Sequence, residues 1–571
     1  MGASALEDAP DGGGAALLKR AALIASWCGL AWAVLLQGLG GVGLLGPDEP
    51  RYAEIAAEMV RRHGYITPRL WGAVWLEKPI LYYWQAALSY TLFGLTTAAA
   101  RLPSALWAVA LSAALWAFLR RTHSPRAGVL AAFLSLSTAF LFIFGRAAST
   151  DMALSAPLAL GMLGLYLWLS EQRLVWLAGA AAALGLATLA KGPVAGVLAA
   201  LALAGFAASQ RRWRLFPALL RPLPVALFAL VAAPWYLAAE WKNPQFFRVF
   251  FWEHNLQRFA TNRFEHPQPF WFYLPVLLLA LAPWSGWLGL PLAAAVARLR
   301  RLGWAHFLRG EDEPLKFFLG WWAAAPVLFF SLSHSKLPGY ILPSIPAAVA
   351  LIAVYAAERW ERLPRWPLAL SAMLAGLLPA ALYTAPWWLA PHAQRPPAAT
   401  LAHDPTVLLL AGGTSLLLLL LAARRRGAAL VAATCALVAA AVLGLTRPPL
   451  SRTMDVALGG RPLARQLQAQ CYEGLPRACG SVPLYTWNLN RDRLYGAQFY
   501  LHAELADWPV DQPPDNAIVI LDRNALPAFI ARYGGARRLA RLSRFDPAGS
   551  PLPAPWLAVR VAPLAPVPPH R

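Results

Sequence analysis

Thirteen apolar stretches of membrane-crossing length recur between residues 21 and 446 of this 571-residue chain, and few folds are open to a sequence built that way. An α-helix needs about 20 apolar residues to cross a bilayer, and in lipid every backbone polar group must find its partner within the chain. The stretches therefore read as a helical bundle, with spans near 21–44, 101–119, 127–146, 152–170, 174–190, 192–209, 216–239, 270–297, 315–333, 339–357, 366–390, 405–423 and 428–446. The composition agrees, with 58% hydrophobic residues against 14% charged.

The formal charge of +22 would point to nucleic acid in a soluble protein, but here the cations sit in short loops between alternate spans. Those loops include Arg120-Arg121, Arg173, Arg211-Arg212, Arg298 to Arg309, Arg359 to Arg365 and Arg424-Arg425-Arg426. An Arg-rich loop marks the cytoplasmic side of a bacterial membrane, and anionic lipid is the natural counter-charge. No basic tract of nucleic-acid-binding type occurs, so the predicted partners are membrane lipids and a small substrate. The run from Ile80 to Gly94 breaks the alternation if it is counted as a span. Its Tyr82, Tyr83, Trp84, Tyr90 and Phe93 suit the headgroup layer, so it is read as an interfacial helix. The odd count then sends the carboxyl terminus outside.

The fold expected is mostly α and polytopic, with about 13 transmembrane helices and periplasmic interfacial helices. Residues 1–18 read as a disordered cytoplasmic tail, 19–446 as the transmembrane body with its first periplasmic loop at 46–100, and 447–571 as a small α/β C-terminal periplasmic domain. In that last part 517–521 reads as a buried strand and 526–533 as the helix after it. Its Tyr485, Trp487, Tyr495, Phe499 and Tyr500 read as core aromatics. Cys471 and Cys479 form C-x7-C, which is not metal-ligand spacing, and in an oxidising compartment such a pair favours a disulfide. No Walker loop, H-E-x-x-H, G-x-S-x-G or Rossmann fingerprint is present, which removes ATP, zinc-peptidase, serine-hydrolase and nicotinamide chemistry.

The chemistry then has to come from the outer loops, where five polar clusters stand out. The densest follows the first span: Asp48, Glu49, Arg51, Tyr52, Glu54 and Glu58, continuing to Glu77-Lys78, which is too charged to cross hydrocarbon. Ser149-Thr150-Asp151 is the second, and any of its three residues suits a helix N-cap as well as a site. Lys191 stands alone between two spans, where lysines commonly snorkel. The loop 240–269 carries Glu253-His254 and Arg258, with His254 and Arg258 spaced to share a helix face. Ser335-Lys336 to Tyr340 makes a turn between two spans. Cations and tyrosines on one face supply donors to a phosphate leaving group, and carboxylates orient a hydroxylated or amino sugar.

The runs Asp48-Glu49-Pro50-Arg51-Tyr52-Ala53-Glu54, Glu77-Lys78-Pro79-Ile80-Leu81-Tyr82-Tyr83-Trp84 and Arg101-Leu102-Pro103-Ser104 resemble those of the bacterial aminoarabinose lipid A transferases. That family belongs to the GT-C glycosyltransferases and is related to the protein O-mannosyltransferases. The likeness continues through Ser149-Thr150-Asp151, Ala190-Lys191-Gly192-Pro193, Glu253-His254-Asn255 with Arg258, and Ser335-Lys336-Leu337-Pro338-Gly339-Tyr340, over most of residues 40 to 350. It implies a monomeric enzyme of the bacterial inner membrane. Such an enzyme moves a sugar, 4-amino-4-deoxy-L-arabinose first among the choices, from undecaprenyl phosphate to lipid A at the periplasmic face.

Carried over motif by motif, Asp48 and Asp151 are the catalytic carboxylates. Arg51, Lys78, Lys191, Arg258 and Tyr340 hold carrier or acceptor phosphate, and Tyr52 and Tyr82 line the cavity. Glu77 and His254 match positions that can hold zinc in the family, a metal that the chemistry does not require; no other cofactor is implied. The alternatives are a relative using another prenyl-phosphate sugar with a hydroxyl acceptor, a lipid flippase or transporter, and, ranked last, a scaffold protein.

Overall fold

The computed structural model describes residues 11–257, 267–307, 312–384, 412–424, 427–448, 450–471, 478–479, 482–535, 537–542 and 555–563. The chain opens with α1 (Asp11–Ala31), which continues as a π-helical turn to Leu36. Residues 11–18, read as disordered tail, are thus helical: Ala15, Ala16, Leu17 and Leu18 are strong helix formers leading into the span. The same segment stops at Leu36 rather than running on to 44, because a glycine-rich stretch begins at Gly38.

After this loop come α2 (Asp48–Arg62), a short hairpin of β1 (Arg69–Leu70) and β2 (Ala73–Val74), and α3 (Leu81–Phe93). The exposed face of α3 is apolar at Trp84, Leu88 and Leu92, spaced four apart, as suits a helix lying against lipid. The bundle proper follows: α4 (Thr97–Thr122), α5 (Pro125–Ser137), α6 (Ala139–Gly145), α7 (Thr150–Glu171), α8 (Leu174–Lys191), α9 (Val194–Gln210), one-turn α10 (Leu215–Leu219) and α11 (Pro222–Lys242). Further helices include Pro314–Ser331, Ile345–Glu358 and Gly427–Leu445.

Among the described residues, eight helices are long and apolar enough to cross a membrane, or ten if two bent pairs each make one crossing. Three shorter apolar helices, Val194–Gln210, Arg365–Leu378 and Thr414–Ala423, accompany them.

Helices α7 and α8 form the tightest hairpin. Gly161 and Gly164 let α7 approach so closely that an added Cβ would come within 2.8 Å of Leu184 and 3.1 Å of Ala180 on α8. Small residues at such contacts let two membrane helices gain dispersion energy along their length.

The last part holds a sheet in the order β3 (Ala478–Cys479), β4 (Val482–Trp487), β6 (Ala517–Asp522), β8 (Trp556–Pro563), β7 (Arg537–Arg541), with β5 (Ala506–Asp507) also on β4. The β4–β6 pair is parallel and the pairs of β8 with β6 and β7 are antiparallel. Strand β6 is buried on both faces. Ile518 and Ile520 pack with Leu463, Leu467 and Trp556 on one side, and Val519 and Leu521 with Trp508 and Phe529 on the other. That two-sided burial explains the unbroken apolar run where an exposed strand would alternate. Cys471 is disulfide-bonded, whereas Cys28 and Cys435 are free.

Three arginines tie the parts together by collecting the carbonyls of the loop that leaves the first span. Arg146 donates to Val34, Gln37 and Gly38, Arg101 to Leu39, Val42 and Gly43, and Arg461 to Gly40 and Gly41. Buried carbonyls without such donors would each cost free energy. Arg461 also pairs with Asp455, whose other oxygen accepts from Gly43 N at 2.6 Å, so the C-terminal part is fastened to this loop.

Candidate active site

The first carboxylate of the site enters at the start of α2. Pro47 is the N-cap residue and no side chain caps this end, so Asp48 is the first helical residue and not the cap. The side chain of Asp48 is 52% exposed and pairs with Arg51 one turn on, while Arg51 also donates from Nε to Pro47 O at 3.0 Å. The guanidinium of Arg51 lies over the rings of Trp75 and Tyr495, 5.4 and 5.6 Å from their centroids. Burial opposes its charge, but Asp48, Tyr52 and Glu77 outweigh that and hold its pKa above the ordinary arginine value. Tyr52 faces the same space; burial, and then the Asp48 charge, raise its phenol well above the usual tyrosine range, so it stays a hydroxyl donor.

The second carboxylate arrives with the α7–α8 hairpin. Ser149 caps α7 by accepting from Asp151 N at 3.3 Å, which leaves the Asp151 carboxylate for other work. Because α7 runs away from the site and α8 returns, Asp151 near the start of one meets Lys191 at the end of the other, Nζ to Oδ1 2.5 Å. Gly192 then turns the chain at φ +81°, a left-handed conformation that favours glycine, and a Cβ there would meet Phe250 at 2.6 Å. Lys191 Nζ also stands 5.8 Å from the centre of the Tyr340 ring.

These groups share one cavity of about 1020 Å³. Asp48, Arg51, Tyr52, Glu77, Lys78, Asp151, Lys191 and Tyr340 all line it, with Phe247, Phe251, Trp252, Phe329 and Phe330 as its apolar wall. Four of the five sequence clusters thus bring polar side chains to one chamber, charged on one side and aromatic on the other, while the loop after α11 lends it, among the described residues, only the aromatics Phe247, Phe251 and Trp252. Tyr82 does not line it: the ring is fully buried behind Tyr52 and its hydroxyl donates to Ala100 O at 2.9 Å. Successive side chains turn by about 100° around a helix, and this phase points Tyr82 into the protein where a cavity-lining role was expected of it. Arg258 lies outside the described residues, as does the side chain of His254.

Among the described residues, no group of three or more His, Cys, Asp or Glu comes together as a metal site. Glu77 supplies one carboxylate to the cavity, short of the three or four protein ligands zinc takes.

Two features that hold the site escaped the sequence reading. Glu49, next to the exposed Asp48, is 8% exposed and takes a bidentate pair from Arg101, Nε to Oε1 at 2.9 Å and Nη2 to Oε2 at 2.6 Å. Its oxygens also accept from Leu45 N and Ala148 N, each at 2.7 Å, so one buried carboxylate joins the first loop, α2, α4 and the entrance to α7. The two catalytic candidates, Asp48 and Asp151, each lie three residues from one of its contacts, Leu45 and Ala148. The second feature is the C-terminal aromatic set. Tyr485, Trp487 and Phe499 are core residues, but Tyr495 stacks on Arg51, and Tyr500 accepts from Leu44 N at 2.9 Å and bonds Thr97 at 2.7 Å.

The crystal structure of ArnT from Cupriavidus metallidurans bound to undecaprenyl phosphate superposes with a TM-score of 0.69 at 23% identity, over 94% of this chain and 97% of that one. The two chains share one fold. The sequence is similar to undecaprenyl phosphate-alpha-4-amino-4-deoxy-L-arabinose arabinosyl transferases. That of Serratia proteamaculans is 34% identical over 61% of this chain and 63% of the relative, and that of Edwardsiella ictaluri 36% identical over 58% and 59%. The match thus spans about three-fifths of those curated relatives. The pattern of the dolichyl-phosphate-mannose-protein mannosyltransferase family matches residues 77–237. The resemblance drawn from the motifs is matched by this likeness, and with its apolar helices the ArnT fold makes this a multi-pass membrane protein.

Proposed function

We propose that the protein is a glycosyltransferase of the bacterial inner membrane that moves 4-amino-4-deoxy-L-arabinose from undecaprenyl phosphate to a phosphate of lipid A. The observation that carries this is the two-sided chamber: two carboxylates, each paired with a cation, face an aromatic wall at one end of the bundle. A prenyl-linked sugar phosphate has the same two halves. Counting the three shorter helices and the two bent pairs as crossings gives thirteen spans among the described residues. The Arg-rich loops then lie in the cytoplasm and the chamber and C-terminal domain in the periplasm.

The reaction is a direct displacement. An acceptor phosphate oxygen forms a bond to the anomeric carbon, the bond from that carbon to the carrier phosphate breaks, and undecaprenyl phosphate leaves with the electron pair. Arg51, Lys78, Lys191, Arg258 and Tyr340 offer donors to the departing phosphate, and Asp48 and Asp151 orient the sugar. An acceptor phosphate is already anionic near neutral pH and needs no base, whereas a hydroxyl acceptor would use Asp48. The strongest charges stand at one membrane surface, which favours transfer over transport, whose sites gather near the midplane.

The test is reconstitution of purified protein with undecaprenyl-phosphate-linked aminoarabinose and lipid A, read by the mass added to lipid A. Other prenyl-linked sugars run in parallel identify the donor. Transfer of none of them, with lipid crossing the bilayer instead, would replace this reading with a flippase. The Asp48→Asn variant should lose transfer to a hydroxyl acceptor and keep part of the transfer to a phosphate.

A further inference from the structure

We propose that a second cavity, on the same membrane end as the chamber, binds a further phosphate of the acceptor lipid; this rests on the phosphate-acceptor transfer proposed above. The cavity measures about 760 Å³ and is lined by Glu58, Arg62, Thr67, Arg69, Lys242 and Asn243 among others. It forms where the end of α2, the β1–β2 hairpin and the end of α11 meet.

Its charge is positive. Three cations face one carboxylate, and that carboxylate is occupied: Glu58 is buried, accepts from Gly72 N at 3.0 Å and pairs with Arg62 at 3.2 Å. Arg69 donates one N–H to Gly72 O at 2.8 Å, and neither it nor Lys242 has a carboxylate within ion-pair distance among the described residues. Asn243 gives its amide N–H to Thr67 Oγ1 at 2.9 Å, which frees the threonine hydroxyl to donate. A guanidinium, an ammonium and a hydroxyl around one space suit a tetrahedral oxyanion.

The depth of the cavity names the kind of oxyanion. Tyr65 and Trp241, next in the chain to the lining residues Gly64, Ile66 and Lys242, are 43% and 82% exposed, and Trp84 donates to Tyr65 O at 2.7 Å. Trp and Tyr exposed together gather at the headgroup layer, where lipid phosphates lie. The spacing names the ligand. Helix α2 carries Arg51 at the chamber and Arg62 at the second cavity, eleven residues apart, or ~16 Å at 1.5 Å per residue. A lipid whose disaccharide headgroup bears a phosphate at each end presents two anions on this scale, one reacting in the chamber while the other is held.

The experiment uses the reconstituted full chain and its Arg69→Gln/Lys242→Gln double variant, with lipid A bearing two phosphates or one. The variant should raise KM for the two-phosphate acceptor about tenfold and leave its kcat and the one-phosphate KM unchanged. Equal effects on both acceptors, or none, would overturn the proposal, as would an effect that follows the phosphatidylglycerol content of the vesicles with either acceptor. If wild-type protein transfers sugar to neither acceptor, the functional reading has failed and binding decides alone. Equilibrium binding of the two lipids in detergent should then show a tenfold weakening by the variant for the two-phosphate lipid only; no difference overturns the site.

Discussion

At the two ends of the helical bundle, two sets of arginines are used in opposite ways. At the chamber end Arg101 is buried and Arg146 half-buried, and both are bonded to backbone: Arg101 clasps Glu49 and three carbonyls, and Arg146 holds three more. At the other end the pairs Arg121–Glu171 and Arg126–Glu361 have arginines about half exposed at helix ends that water and headgroups reach, while Arg298 there is buried against Asp312. A charge in water serves topology and solubility, and its ion pair contributes little. A charge clasped by backbone fixes geometry, and its loss leaves polar groups stranded. The chamber is built at the end where position matters.

Breaking the clasp should produce the largest effect. Arg101→Met strands the Glu49 carboxylate and three carbonyls, at a cost of about 3–5 kcal/mol; the thermal midpoint in detergent should fall sharply or no monodisperse protein remain. Next comes Asp151→Asn, which keeps the shape and removes the charge facing Lys191. Transfer should drop at least about 100-fold with the thermal midpoint close to wild type.

A third prediction concerns Glu54, buried in α2 and paired with Arg61. Burial pushes its pKa up to about 7, against the partial relief from Arg61 and from the ordinary value of 4.5. Between those two values the folded chain holds a proton that the unfolded chain has released, so stability falls as pH rises from about 4.5 through 7. Glu54→Gln should therefore raise the thermal midpoint over wild type at pH 8 and not at pH 4.5, by an amount of the order of 3 kcal/mol. The smallest effect belongs to the far end. Arg121→Ala and Arg126→Ala should change stability by no more than about 1 kcal/mol and leave transfer unchanged; a large loss there would erase the contrast between the ends.

Much of this plan is legible in the sequence because lipid imposes strong rules. Apolar length marks the helices, and charged runs that cannot enter hydrocarbon mark the loops, so the four polar clusters found around one chamber could be named beforehand, whereas Glu253 of the fifth does not line it. The strand at 517–521 and the helix at 526–533 also stand where the pattern put them. Side-chain direction was not legible. Asp48 and Glu49 are neighbours of the same charge, and nothing local says that one faces the chamber and the other an arginine 52 residues away. Tyr82 went inward and Tyr495 outward onto Arg51 for the same reason: an aromatic fits a core or a rim, and tertiary packing chooses. The first span ended early because apolarity continues through its glycine-rich loop, where Arg101, Arg146 and Arg461 replace the helix as partners for its carbonyls.

The central claim is that cations from separate parts of the chain act on one lipid phosphate. A double-mutant cycle of Arg51→Ala and Lys191→Ala, read by the affinity of purified protein for undecaprenyl phosphate, tests it most directly. Each single change should weaken binding, and the double change should weaken it by clearly less or more than the product of the two. Strictly multiplicative effects, or a loss confined to one of the two variants, would contradict a shared phosphate site.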